Sequence, residues 1–241
     1  MASAAAFREE SVLGRLVNAV GCSSGGRILD LACGPGIVAE ALAPLASQII
    51  GVDATPEMVR LAKARFARAG LGNGRFHLAL AESLPFGAGK FHDVVTRLSF
   101  HHFPDVAAVL SEVKRVLCPR GRLIVADIMS SGDPGEAALH NAIEQLRDPT
   151  HVRMLKRPEF REMLRSAGFE PITEEAWEQE RSFSEWAQIV ADPARTGPLR
   201  EIMRALARAK VRAGINLREE AGEVHFTHAW LLIVARSLPG G

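Results

Sequence analysis

Apolar positions along the chain change period repeatedly, and the changes divide it into alternating helices and strands. Val12, Leu13, Leu16, Val17 and Val20 recur at helical spacing and predict an amphipathic helix that stops at Gly21. Ser23 to Gly26 reads as a linker into a short buried strand from Arg27 to Leu31, which runs into Cys33-Gly34-Pro35-Gly36. Ile37, Val38, Ala41 and Leu42 give the apolar face of the next helix, which Pro44 helps to end, and Gln48 to Val52 is a second strand closing on Asp53. Thr55-Pro56-Glu57 then supplies a hydroxyl N-cap, a proline at the first helical position and an acid against the helix dipole, so a helix runs to about Gly70.

The same alternation continues downstream. Arg75 to Ala81 is a third strand and His92 to Ser99 a fourth. Val106, Val109, Leu110, Val113 and Leu117 line a helix, Pro119-Arg120-Gly121 turns the chain, and Arg122 to Asp127 is a fifth strand. The alternation of strands and helices predicts a parallel sheet covered on both faces. From Met129 to Lys156 the pattern weakens: Asp133-Pro134 opens a helix, and Arg147 to Arg153 is polar and broken by Pro149. Pro158 to Ala167 is a helix and Phe169 to Trp177 a sixth strand; Phe183 to Val190 and Pro198 to about Ala213 are helical, with Asp192 to Gly197 as a break. Glu223 to Arg236 is a seventh strand, and the lack of an ordinary short crossover before it predicts that it runs antiparallel. The expected fold class is therefore α/β: a Rossmann-like, doubly wound, seven-stranded sheet, mostly parallel with an antiparallel last strand. Residues 1–241 are expected to form a single domain, with 129–156 as a helical lid inserted over the carboxyl ends of the strands.

Composition narrows the partners. Lys and Arg total 29 against 28 Asp and Glu, a net charge of +1, so the balance argues for neither nucleic acid nor an anionic membrane. A small-molecule substrate fits better, and a homodimer is compatible. The three cysteines, Cys22, Cys33 and Cys118, show no metal-ligand spacing and suit a reducing compartment as small buried hydrophobes; no metal is expected. Met1 to Phe7 lacks the basic region and apolar core of a signal peptide, and no run reaches the roughly 18 consecutive apolar residues of a membrane span. A cytoplasmic location is the expectation.

The candidate chemistry gathers at the strand ends. Gly34 and Gly36 let the backbone turn tightly and lie against a ligand, with the Asp30 carboxylate where the first strand runs out. Asp53, ending the second strand, can accept from both hydroxyls of a ribose, and Leu84 and Phe86 are large enough to wall a flat ring. His101 and His102 follow the fourth strand, in the crevice where open α/β sheets bind ligands. A nucleoside-type ligand is the natural occupant.

Together these residues resemble class I S-adenosylmethionine-dependent methyltransferases. Ile28 to Gly36 is similar to the family's first motif, Val52-Asp53 to its ribose acid, Ala81 to Phe86 to its adenine loop, and Val116 to Leu123 to the turn before strand five. The subgroup that the chain most resembles methylates small molecules, like the ubiquinone and menaquinone biosynthetic enzymes, and carries a histidine pair after strand four and a segment like Arg147 to Arg153. The resemblance implies S-adenosyl-L-methionine as cofactor and S-adenosyl-L-homocysteine as product, held by Asp30, Ala32, Gly34, Gly36, Asp53, Ala54, Ala81, Glu82 and Ser99. Leu80 stands where the family often has an aspartate for the adenine amino group, and Arg120 replaces the middle glycine of the usual turn.

Methyl transfer from a sulfonium is an in-line displacement, so the protein mainly positions the reactants and at most removes one proton. His101 with Asp127 as its orienting carboxylate is the candidate base, His102 the alternative, and transfer without any side-chain base a third possibility. Arg97, His151 and Arg153 are candidate substrate ligands, set against a structural ion pair for Arg97 and a solvated loop for the other two. Two rival functions remain at this level. Gly34, Gly36 and Ala39 also fit the G-x-G-x-x-A of an NAD(P)-dependent oxidoreductase, and a non-catalytic S-adenosylmethionine-binding protein would carry the same cradle.

Overall fold

In the computed structural model, which describes residues 4–21, 25–190 and 192–238, the helix opened by Pro56 forms without the expected hydroxyl cap, since the Thr55 side chain makes no cap hydrogen bond, whereas Asp105 accepts from the Ala108 amide to start the helix at Val106. Five strands, β1 (Arg27–Leu31), β2 (Gln48–Asp53), β3 (Gly74–Leu78), β4 (Phe91–Arg97) and β5 (Leu117–Ile128), pair in parallel in the order β3-β2-β1-β4-β5. The chain winds outward from β1 to β3, then crosses back to β4 on the other side of β1. That reversal opens a crevice at the carboxyl ends of β1 and β4. Beyond β5 the sheet continues through β8 (Glu223–Ser237), antiparallel to β5, to β6 (Phe169–Ser182), antiparallel to β8. The antiparallel last strand is as expected; a short β7 (Arg218–Glu220) folds back on β8 as an eighth strand that the sequence did not signal.

Helices cover both faces. On one side α1 (Ala4–Val20), α2 (Ile37–Leu42) and α3 (Pro56–Arg68) bury Leu16, Leu42 and Phe66 against Ile28 and Ile49. On the other, α4 (Val106–Val116) and α6 (Arg157–Ser166) bury Val113 and Phe160 against Leu29 and Leu123. Ile28 and Leu29 enter opposite clusters because successive strand residues point to opposite faces.

Past the strand ends lies a third apolar cluster formed by α5 (Pro134–Arg147), α7 (Phe183–Ala187), α8 (Pro193–Arg208) and the β7–β8 hairpin, with Ile143, Trp186, Leu199, Met203 and Phe226 at its centre. Within the 129–156 stretch, α5 thus packs with elements from later in the chain. Several boundaries differ from expectation for local reasons. Asp192 accepts a hydrogen bond from the Ala194 amide and Pro193 starts α8, so the helix forms through the predicted break and carries Pro198 inside it, ending at Arg208. The strand β6 runs to Ser182 because β8 pairs with it that far. The expected linker at Ser23 and Ser24 lies outside the described residues.

Candidate active site

Two cavities adjoin at the carboxyl edge of the sheet. The larger, about 520 Å³, is bordered by Asp30, Ala32, Gly34, Asp53, Ala54, Ala81, Glu82 and Ser99, all expected around the cofactor. Its backbone is fixed tightly. The Gly34 amide donates to Asp53 Oδ2 at 2.8 Å, and the Thr55 amide donates to Oδ1 at 2.9 Å, so each carboxylate oxygen keeps a lone pair for a ligand hydroxyl. Ala32 and Leu98 hold left-handed backbone conformations, φ 54° and 53°, directly after β1 and β4 at the cavity wall. Such conformations cost an ordinary residue of order 1–3 kcal/mol and cluster at ligand sites.

Asp30 shows most directly what the cavity is suited to hold. Its side chain is 1% exposed, and Oδ2 has no hydrogen-bond partner. Burial pushes the carboxyl up to about 7, against the lowering effects of the Ala39 backbone and the Arg97 charge. A ligand ammonium group would supply the missing donor and restore the charge. Arg97, expected at the substrate, borders this same cavity. Cys33 also lines it, and burial pushes its thiol up, disfavouring the thiolate.

Two expected features of this cavity are placed differently. Gly36 is absent from the wall: it has φ 79°, and a Cβ there would come within 3.0 Å of the Ala62 Cβ, so its role is the close approach of α2 to α3. Leu84 and Phe86 turn into the core, Phe86 packing edge-on against His77 and Phe91, and the wall is built by Ala79, Leu80, Ala81 and Glu82 instead. That loop is held by α4, where Glu112 accepts from the Leu84 amide at 2.7 Å and Arg115 donates to the Leu84 and Phe86 carbonyls.

The smaller cavity, about 360 Å³, shares Leu98, His102 and Asp148 with the first and is bordered further by His101, Glu144, Arg147, Arg181, Trp186, His228 and Trp230. His101 Nδ1 lies 2.6 Å from Asp127 Oδ1, and both side chains are buried. Asp127 is held rigidly, its Oδ2 accepting from the Ser99 and Phe100 amides and its Oδ1 from that of Ile128. Burial alone disfavours the imidazolium, but the Asp127 carboxylate outweighs it and keeps His101 above the ordinary histidine range. With Nδ1 committed to Asp127, Nε2 is the nitrogen left for a proton to be gained or lost. His102 touches Thr150 and is pulled down by burial and by His101.

The remaining expected substrate ligands sit elsewhere. His151 bonds to Asn141 Oδ1 at 2.9 Å, lies with its ring tilted 5.3 Å from that of His101 and is pushed down to about 4 by burial, bordering neither cavity. Arg153 is half exposed in an ion pair with Glu159 on the surface. Sequence reasoning missed Glu144, Arg147, Arg181 and His228, since α5, β6 and β8 meet only in three dimensions.

Comparison with known proteins agrees with this geometry. Residues 29–125 match a methyltransferase domain family. The uncharacterised methyltransferase YcgJ of Bacillus subtilis is 34% identical over 188 residues, 78% of this chain and 74% of YcgJ. Its crystal structure superposes with a TM-score of 0.86 at 29% identity, covering 96% of this chain and all of YcgJ. A Bacillus halodurans protein described as a methyltransferase gives the same TM-score at 27% identity, covering 95% of this chain and 100% of its own. The demethylmenaquinone methyltransferase of Thermus thermophilus is 40% identical over 103 residues, spanning 42% of this chain and 46% of that enzyme. With the two acids, the glycine turn and the orphaned Asp30 oxygen all at one cavity, the chain belongs to the class I S-adenosylmethionine-dependent methyltransferases.

Proposed function

We propose that this methyltransferase transfers the methyl group to O, C or N of a small organic acceptor, aromatic, quinone-like or a secondary metabolite, bound in the smaller cavity. The observation that carries the reading is the junction of the two cavities at Leu98, His102 and Asp148, beside the His101–Asp127 pair. Bound S-adenosylmethionine supplies its own electrophilic methyl group and leaving sulfide. Asp30 would hold the ammonium of its amino acid end, Asp53 would hold the ribose, and Ala81 with Glu82 would border the adenine. Each has an open acceptor atom or a wall position at the larger cavity.

The chain's remaining work is positional and proton-directed. Trp186, Trp230 and Ile128 offer a flat apolar wall, while Arg147 and Arg181 provide positive charge for an acceptor oxygen. Asp127 fixes the tautomer in which His101 Nε2 can take the acceptor's proton, and it stabilises the imidazolium that results. Residues 129–156, with α7 and α8, act as the cover that excludes water. The His101–Asp127 pair at the second cavity supports turnover over cofactor binding alone, and no observation favours a nicotinamide cofactor.

Incubation of the protein with methyl-labelled donor and a panel of phenols, quinones, amines and thiols tests the reading. Label in a phenolic or quinone-derived product is expected. Tight S-adenosylhomocysteine binding with no transfer across the panel would point to a cofactor-binding protein instead.

A further inference from the structure

Buried polar atoms without partners concentrate in one place outside the His101–Asp127 pair. His140 is 1% exposed, and neither ring nitrogen has a hydrogen-bond partner. One helical turn on, Glu144 is equally buried. Its Oε2 is gripped by Arg147, at 3.1 Å from Nε and 3.0 Å from Nη2, so the other oxygen, Oε1, is turned toward two imidazoles. That oxygen lies 3.2 Å from His228 Nε2 and 3.8 Å from His140 Nε2. His228 comes from β8, and its ring stacks on His140 at 5.6 Å. Opposite His228 in β6, the buried Gln179 side-chain amide also lacks partners.

An all-protein hydrogen-bond network does not account for this arrangement, because one acceptor oxygen faces two rings and His140 still ends with nothing. A cation accounts for it. One atom from each of His140, Glu144 and His228 lies within 4.8 Å of the others, and three ligands each about 2.0–2.2 Å from one ion in tetrahedral array stand roughly 3.3 Å apart. The spacings from Glu144 Oε1 to His228 and His140, 3.2 and 3.8 Å, are already close to that value. Two neutral imidazoles with one carboxylate suit zinc and other late first-row divalent ions and ill suit magnesium or calcium, which prefer oxygen.

We propose that His140, Glu144 and His228 form a three-residue site for a zinc-like divalent ion, with its open coordination position on the smaller cavity. Glu144 and His228 both border that cavity, whereas His140 lies behind them. Three protein ligands leave room for an exchangeable one, so the ion can take an oxygen-donor ligand such as a phenolate or enolate. Arg147 acts on the metal only through Glu144 and is a positioning residue. That the oxygen donor is the methyl acceptor rests on the reading of this cavity given above; the metal site itself does not.

Protein stripped with a chelator and titrated with cobalt(II) is expected to take up one ion per chain. It should develop visible ligand-field absorption that zinc abolishes, and catechol should shift the spectrum by entering the open position. His140→Ala and His228→Ala should lose the absorption, and Arg147→Gln should weaken binding about 10–100-fold. Each variant is first checked for S-adenosylhomocysteine binding, which uses none of these residues, and His140→Gln replaces any variant that fails that check. Stripped wild-type protein that binds no stoichiometric cobalt, or an unchanged spectrum in folded His140 and His228 variants, would overturn the site. So would a sulfur-to-cobalt charge-transfer band showing that a cysteine holds the ion. No spectral response to catechol would overturn the open position. Metal binding that persists in a protein inactive on every acceptor would count against the methyl-acceptor reading alone.

Discussion

His101 Nδ1 stands 2.6 Å from Asp127 Oδ1 in a pocket that leaves the two side chains 5% and 1% exposed. Three backbone amides fix the carboxylate, so the imidazole cannot turn without breaking a buried ion pair. Asp127→Asn keeps the shape but removes the charge. We expect kcat/KM to fall by roughly 10²-fold, within the range for a mispositioned general base, with S-adenosylhomocysteine affinity unchanged by isothermal titration.

The same pair sets a pH dependence. His101 is held above its ordinary value, so the unprotonated base appears only as pH rises past that value, and kcat/KM should climb through an apparent pKa above about 6.5. His102, His151, Glu144 and Arg147 also surround the ring, so the value belongs to the cluster. In Asp127→Asn the limb should move to lower pH. For stability the sign is the opposite: a raised histidine pKa contributes stability that is fully present below the unfolded value and lost as pH rises through the folded one. Urea midpoints for wild type and His101→Gln should converge on raising the pH from 6 to 9.

Asp30 gives an independent test of the cofactor cavity. Its carboxyl titrates at about 7 in the free protein, so the folded chain binds more protons than the unfolded between about pH 4 and 7, and this group's contribution to stability falls as pH rises through that window. An ammonium beside it would lower the value. Binding of S-adenosylhomocysteine below pH 7 should then release close to one proton, with affinity weakening by up to about tenfold per unit of acidification. Calorimetry in buffers of different ionisation enthalpy reads the proton count, and Asp30→Asn should abolish the release.

Two backbone positions should respond oppositely to substitution. Gly36→Ala places a Cβ against Ala62 in a left-handed conformation and should lose about 2–3 kcal/mol. Arg120 already occupies φ 63° within the exposed first part of β5, so Arg120→Gly should gain up to about 1 kcal/mol. Chemical denaturation of the two variants decides both signs.

Arg153 was a plausible substrate ligand on sequence grounds, but its exposed ion pair with Glu159 predicts little. Arg153→Ala should leave kcat/KM within about twofold of wild type.

These outcomes also mark what the sequence made legible. The cofactor cradle was readable because Asp30, Gly34 and Asp53 sit at strand ends that hydrophobic periodicity locates, and the sheet order then brings them to one crevice. Asp127 was readable for the same reason. The lining of the smaller cavity was not, since Glu144, Arg181 and His228 arrive from α5, β6 and β8, whose packing depends on the third apolar cluster and on no local pattern. Gly36, Leu84 and Phe86 were misassigned because a motif position does not say whether a residue faces the ligand or the core behind it.

The most direct measurement is single-turnover methyl transfer to the best acceptor, followed against pH for wild type and His101→Ala at saturating donor. A wild-type rate rising through an apparent pKa above about 6.5, with the variant slowed 10²–10⁴-fold and its S-adenosylhomocysteine affinity intact, is the predicted result. A variant that keeps the wild-type rate and pH profile would contradict the account.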